Sequence, residues 1–302
     1  MTRKVMEPVR RGTLDWQAMG TQQLSFGTLL RRWREQRRMT QIDLALAAGS
    51  STRHLSCLET GRAQPSREII RRLADCLDVP LREQNTLMLA AGFAPAFAER
   101  PIAELEAAER AMDRVLKAHL PYPAFAVDRH WNVVLSNSAL QQLYEGCSEE
   151  MRRHRPVNAV RLTLHPEGMG PRIVNYAEWR GHTLHLLRNQ LQRQADPGLE
   201  ALLAEVQSYP VPVRSEACAT PEFDAIQRLA TPLRIATRFG TVSFLNTLTV
   251  FGTPSDVTLA ELALEMLFPA DDETIEIVAE MERERLLTAA AAVSGIRQTP
   301  RA

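Results

Sequence analysis

The stretch STRHLSCLETGRAQPS, residues 51–66, carries Thr52, Arg53, Ser56 and Cys57 interleaved with two leucines three apart, Leu55 and Leu58. At helical spacing the leucines share one face and the other four side chains turn outward. The chemistry open to that outward set is recognition by hydrogen bonding. The planar fork of Arg53 can bond guanine O6 and N7 together, and the methyl of Thr52 can touch a thymine methyl. The plainer alternative is a solvated helix face, with Ser56 and Cys57 merely small enough to allow close approach. The histidines are a second chemical set. His182 and His185 lie three apart on an expected helix, and His165 stands in LHPEG. A metal site needs a third ligand at a defined place, and the sequence names none. There is no GxSxG, HExxH, P-loop or GxGxxG pattern, so no enzyme, metal or required cofactor is expected.

The elements that position the first set follow from local signals. In LSFGTLLRRWREQRRMT, Phe26, Leu29, Leu30 and Trp33 recur at i, i+3, i+4 and i+7, with the arginines facing out. Thr40 caps the next helix, QIDLALAAG, with Asp43 completing a capping box, and Gly49 ends it. Ser51 caps a third helix that runs to about Thr60 and stops at Gly61. Ala45 is the small residue where Leu55 and Leu58 cross the second helix. Counting Gln41 as position one, Ala falls at five, Gly at nine and Leu at fifteen and eighteen. This is helix-turn-helix spacing, in which the second helix of the pair enters the major groove. A fourth helix, SREIIRRLADCLDV, starts at Ser66 with Glu68 favourable at its dipole, and a fifth spans about Leu81 to Ala91, closed by Gly92.

The segment TQIDLALAAGSSTRHLSCLETGRAQPSREIIRRLADCLDVP resembles, nearly end to end, the lambda-repressor-like helix-turn-helix domain of the xenobiotic-response-element (XRE) type. The resemblance implies an all-α five-helix domain. It implies that Thr52, Arg53, Ser56 and Cys57 face base edges, and that Gln41 contacts a phosphate and braces the recognition helix. It also implies that His54, Thr60 and Arg62 touch phosphates. Thr52 stands where the family often has glutamine, so no operator carries over from relatives. One such module makes few base contacts. The expected partner is therefore double-stranded DNA bearing a palindrome, read by a homodimer with recognition helices about 34 Å apart.

With 302 residues, 45% hydrophobic and 24% charged, two domains are expected. No apolar run is long enough for a membrane span, and the N-terminus has no apolar core of a secretory signal. The four cysteines, Cys57, Cys76, Cys147 and Cys218, are scattered, which fits a reducing, cytoplasmic setting. The zero net charge hides an asymmetry. Residues 1–92 carry 15 basic against 9 acidic side chains, and the remainder 21 against 27. A basic module joined to an acidic one suits a nucleic-acid reader fused to something else. The expected division is a tail over 1–20, the helix-turn-helix domain over 21–95, a connecting helix over 96–120, a second domain over 121–285 and a tail over 286–302.

The connecting helix has an apolar stripe of Leu105, Ala108, Met112, Val115 and Leu116. Strands are then expected over about Ala124–Val127 and Trp131–Leu135, with a short helix over Asn137–Tyr144. Helices follow over Pro156–Leu164, Ile173–Gln192 and Leu199–Ser208. Two more strands span about Leu233–Arg238 and Thr241–Phe251. TLAELALEMLF reads as a helix with Thr258 and Glu261 as capping box, and a last acidic helix starts near Asp271.

PYPAFAVDRHWNVVLSN, NAVRLTLHPEGMGPRIVNYAEW and RIATRFGTVSFLNTLTVFGTPSDVTLAELALEMLFPADDET together resemble the ligand-binding domain of MmyB-like transcription regulators, over 104 to about 275. The resemblance implies an α+β PAS-like fold with a central antiparallel sheet, holding a lipophilic small molecule such as a fatty acid. Residues expected to line the site are Phe125, Trp131, Val133, Leu140, Tyr144, Trp179, Leu184, Leu187, Leu191, Phe244 and Leu248. A filled core would use the same residue types. The reading is a DNA-binding transcription regulator with a lipophile sensor. Its rivals are a DNA-binding protein whose second domain is a ligand-free interaction or dimerisation module, and an enzyme fused to a DNA-binding domain.

Overall fold

The computed structural model describes residues 24–296 apart from 102–103, 154, 194–195, 213–230, 253 and 255. The expected tail over 1–20 and Cys218 lie outside the described residues. The chain forms two compact units, divided between Phe97 and Ala98.

The first unit is all helical: α1 Phe26–Gln36, α2 Gln41–Ala47, α3 Thr52–Glu59, α4 Arg67–Cys76 and α5 Leu81–Ala90. Each of the first four starts on a hydroxyl cap. Ser25, Thr40, Ser51 and Ser66 accept from the backbone N–H of Thr28, Asp43, His54 and Ile69. At Thr40 the Asp43 carboxylate returns the bond to the cap's own N–H, closing the capping box. Gly49 turns the chain between α2 and α3 at φ +59°, a conformation that disfavours any side chain.

Phe26, Leu30 and Trp33 of α1, Leu44 and Ala45 of α2, Leu55 and Leu58 of α3 and Ile69, Ile70 and Leu73 of α4 form one buried core. One expectation fails here. Not all arginines of α1 face out, because Arg34 is buried. Ala45, 2% exposed, belongs to the core that α2 shares with α3. Ala45→Leu is expected to destabilise this unit by roughly 1–3 kcal/mol through overpacking. An unchanged melting temperature with intact DNA binding would show that the position has room.

The second unit begins with helix α6, Glu106–Ala118, followed by strands β1 Ala124–Val127 and β2 Val133–Ser136. Next come helices α7 Ser138–Leu143, α8 Glu149–Arg153, α9 Ala159–Leu164, α10 Tyr176–Arg193 and α11 Pro197–Ser208. Strands β3 Leu233–Thr237 and β4 Gly240–Val250 lead to a one-turn helix α12, Val257–Ala260, then β5 Ala263–Pro269 and α13 Asp272–Ile296. The five strands form an antiparallel sheet in the order β2-β1-β5-β4-β3. This is an α+β PAS-like arrangement. Met112 and Leu116 of α6 pack with Ala124, Ala126 and Leu264 on one face. Phe125, Val127, Ile235, Val242, Phe244 and Leu267 share the larger core with residues of α7, α9, α10 and α11. The connecting helix is thus part of the second unit, and Val115, 45% exposed, lies off its packed stripe.

Two further expectations are corrected. The segment read as the helix TLAELALEMLF is helical only in α12, and its cap is Asp256, not Thr258. Most of it is β5, a strand paired on both sides. Leu264 and Leu267 are buried on opposite faces, so apolar residues fall on both faces of the run and, with Glu265 the one charged residue in it, no polar alternation shows. Its helix-forming residues yield to tertiary pairing. The expected tail from 286 is instead the continuation of α13 to Ile296.

Candidate functional site

Two places in the chain gather recognition chemistry. The first is α3. Leu55 and Leu58 are buried, while Thr52, Arg53 and His54 are exposed and Ser56 and Cys57 half-buried. The cap and the first turn therefore present an uninterrupted polar surface. Arg62 is exposed just beyond the helix. The Thr60 hydroxyl donates to the carbonyl of Ser56 at 2.7 Å and so helps end the helix.

What fixes α3 is a group of residues of which the resemblance points only to Gln41. Arg34 Nε and Nη2 donate to the two carboxylate oxygens of Glu59 at 2.6 and 3.0 Å, a two-pronged pairing. Gln41 Nε2 donates to Glu59 Oε2 at 2.8 Å, and Arg34 Nη1 reaches the carbonyl of Met39 at 2.9 Å. Burial pushes the Glu59 carboxyl up, but the bonds from Arg34 and Gln41 outweigh it and hold the group below the usual carboxylate range. Gln41 thus stands where it ties the start of α2 to the end of α3. Gly27 completes the clamp. A Cβ there would lie 2.4 Å from the carbonyl oxygen of Glu59 and 2.6 Å from that of Leu58, so α1 and α3 meet backbone to backbone. Beyond Gln41, signals for this group exist only in hindsight: a glutamate in LETGR, and a glycine inside a helical pattern.

The second place is a cavity of about 60 Å³ beneath the helices of the second unit. Phe125, Trp131, Leu140, Tyr144 and Trp179 line it, together with Leu233, Leu267, Thr183, Asn246 and Glu265. Trp131 sits at φ +67°, unusual for a bulky residue, and its indole N–H donates to Gln190 Oε1 at 3.0 Å.

The other expected lining residues lie elsewhere. Leu184, Leu187 and Phe244 are buried in the core without reaching the cavity, and Leu191 packs half-buried against that core. Val133, on the edge strand β2, borders a separate surface groove. Leu248 shares the sheet face of Phe244 by alternation. It is 56% exposed, because β4 outruns its cover.

Glu265 and Asn246 are not among the lining residues that the sequence points to. Glu265 lies on β5 opposite Phe125 and Leu248. Burial pushes its carboxyl up to about 7, against the hydrogen bond that it accepts from Asn246 Nδ2 at 3.1 Å. Asn246 Oδ1 and Trp179 Nε1 are buried and have no hydrogen-bond partner among the described residues. His182 stacks beside Trp179, and burial with the nearby His185 lowers its imidazole pKa. No group of three or more His, Cys, Asp or Glu among the described residues is placed to hold a metal ion. No helix among them is long and apolar enough to cross a membrane.

Comparison with known proteins agrees with this division. The family described as MmyB-like transcription regulator ligand binding domain matches residues 108–281, and a helix-turn-helix domain family matches residues 25–87. No curated protein matches the chain. A solved structure of an RNA-binding light-oxygen-voltage receptor aligns at 14% identity over 87% of this chain, with a TM-score of 0.22. The chain spans 62% of that structure's length, and the likeness carries no argument.

Proposed function

Because the chain belongs to the family that carries the MmyB-like transcription regulator ligand-binding domain and joins it to a helix-turn-helix domain, we propose that it is a sequence-specific, DNA-binding transcription regulator governed by a lipophilic small molecule. It works in the cytoplasm, as a homodimer on a palindromic operator, without catalysis. The observation that carries the DNA half is the exposed polar face of Thr52, Arg53 and His54 on a helix clamped at its far end by Arg34, Gln41 and Glu59. A rigid reader holds base contacts in register. The ligand acts to the extent that it binds one arrangement of the dimer better than another.

Arg53→Ala tests the reading face. The exposed side chain is not part of the fold, so stability should hold while specific binding falls by about 1–3 kcal/mol, concentrated at one base pair per half-site. A mobility-shift titration on a selected operator that shows unchanged affinity would remove Arg53 from the base contacts.

The ligand half rests on the cavity's apolar wall, and straight-chain lipophiles are the class it suits. A second reading, a ligand-free dimerisation module, draws on the cavity's small size, since small-molecule sites usually measure hundreds of Å³. Chain length separates the two. Trp131 and Trp179 both line the cavity, so tryptophan fluorescence can follow a series of straight-chain amphiphiles with one head group. Binding should saturate and tighten with each methylene by up to about 0.8 kcal/mol until the space is filled. A complete lack of saturation favours the dimerisation module.

A further inference from the structure

We infer that the cavity of the second unit selects an amphiphile whose polar head both donates and accepts hydrogen bonds, a primary amide or an alcohol, and that it turns away a free carboxylate. The inference rests on the reading that this cavity takes a lipophile, and it assigns the head-group chemistry.

Three polar groups in a mainly apolar lining carry it. Glu265 is buried on β5 and receives one bond, from Asn246 Nδ2 at 3.1 Å. An ionised carboxylate accepts only, so the amide end of Asn246 must face it. That leaves Asn246 Oδ1, an acceptor, buried without a partner among the described residues. Trp179 Nε1, a donor, is in the same position on a side chain only 7% exposed. Two of the three hydroxyls in the lining are already engaged: Thr183 donates to the Trp179 carbonyl at 2.9 Å and Thr163 to the Ala159 carbonyl at 2.6 Å, while Tyr144 also borders the separate groove beside β2.

Buried polar groups are normally satisfied, and each orphan is costly. The unmet demand is for a donor to Asn246 Oδ1 and Glu265, and an acceptor for Trp179. An amide or hydroxyl supplies both. An ammonium cannot accept from the indole. A carboxylate cannot donate to Asn246 and brings a second negative charge towards Glu265. Among the described residues no Lys, Arg or His lines the cavity to offset that charge. The 60 Å³ volume suits a head group of a few heavy atoms, with the chain running on between apolar side chains.

The test uses the full chain, stripped of lipid, at pH 8, where Glu265 is ionised. Dodecanamide, dodecan-1-ol and dodecanoate are titrated below their aggregation limits and followed by tryptophan fluorescence. The amide and the alcohol should bind at least about tenfold tighter than dodecanoate, since like charges brought together without a counter-ion are strongly unfavourable. In Glu265→Gln, which removes the charge and keeps the shape, that gap should shrink to about threefold or less. Dodecanoate binding as tightly as the amide in the wild-type protein would overturn the head-group assignment and leave the lipophile reading intact. A gap unchanged in Glu265→Gln would also overturn it, since Glu265 would not be the discriminator. Failure of all three to saturate would remove the lipophile reading itself. The wild-type comparison decides the matter even where the variant folds poorly.

Discussion

Glu59→Ala is expected to destabilise the first unit by about 3 kcal/mol, the scale of a buried ion pair broken from one side. The guanidinium of Arg34 would lose both carboxylate contacts and keep only its bond to the Met39 carbonyl. Gln41 would lose its partner as well. The loss falls on the last residue of α3, so the helix that presents Arg53 is freed at its far end. Specific DNA binding should drop even where the unit stays folded. Denaturant unfolding of the full chain, with the first unit's transition followed separately, measures the first effect and mobility shift the second. Glu59→Gln keeps an acceptor for Arg34 but no charge, and should fall between. The Glu59 carboxyl lies below its usual range when folded, so the pair's contribution is present at neutral pH and lost as pH falls through the folded value. An unfolding midpoint unmoved in Glu59→Ala would show that the clamp is incidental.

Glu265→Gln should act in the opposite sense, stabilising the second unit by about 3 kcal/mol at pH 8. Folding raises this carboxyl from an ordinary 4.5 to about 7. A raised carboxyl contributes fully below its unfolded value and loses that contribution as pH rises through its folded one. The wild-type unit should therefore weaken between pH 4.5 and about 7 and stay weakened above. The glutamine of the variant does not ionise and keeps the same shape, so the two proteins should converge near pH 4. Thermal unfolding of both across pH 4 to 8 gives the comparison. A stability difference that does not change with pH would mean that Glu265 is not strained by its burial.

The helices of the first unit were legible because their signals are local. A hydroxyl cap, an apolar stripe and a stop glycine all fall within a dozen residues, and Ser51, Leu55 and Gly61 each did what their types require. Beyond the bracing Gln41 the clamp was not legible, because Arg34 meets a glutamate far along the chain and nothing near Arg34 marks it as buried. β5 was lost for a related reason. Pairing on both edges and cover on both faces leave a run of Ala, Leu, Glu and Met that local preference reads as helix. With β5 read as a helix, nothing sets Glu265 beside Phe125, and the polar end of the cavity cannot be seen. The apolar wall was half visible. Aromatic residues at strand and helix positions pointed to Phe125, Trp131 and Trp179, but nothing in the sequence tells a lining side chain from a packed one such as Leu187. Leu248 failed on length alone, since alternation gives its face but not where the cover stops.

The placement of β5 also sets an order of events during synthesis. Among the described strands it is the last to leave the ribosome and the one that lies in the middle of the sheet. Until it arrives, the hairpin of β1 and β2 and the hairpin of β3 and β4 share no backbone bond, and the sheet of the second unit has no central strand. Such long-range pairing is slow. The first unit, built from neighbouring helices, can fold as soon as it emerges. The helix-turn-helix domain can therefore be complete before the ligand-binding domain is. Whatever control the second unit exerts on the first can begin only once the sheet has closed.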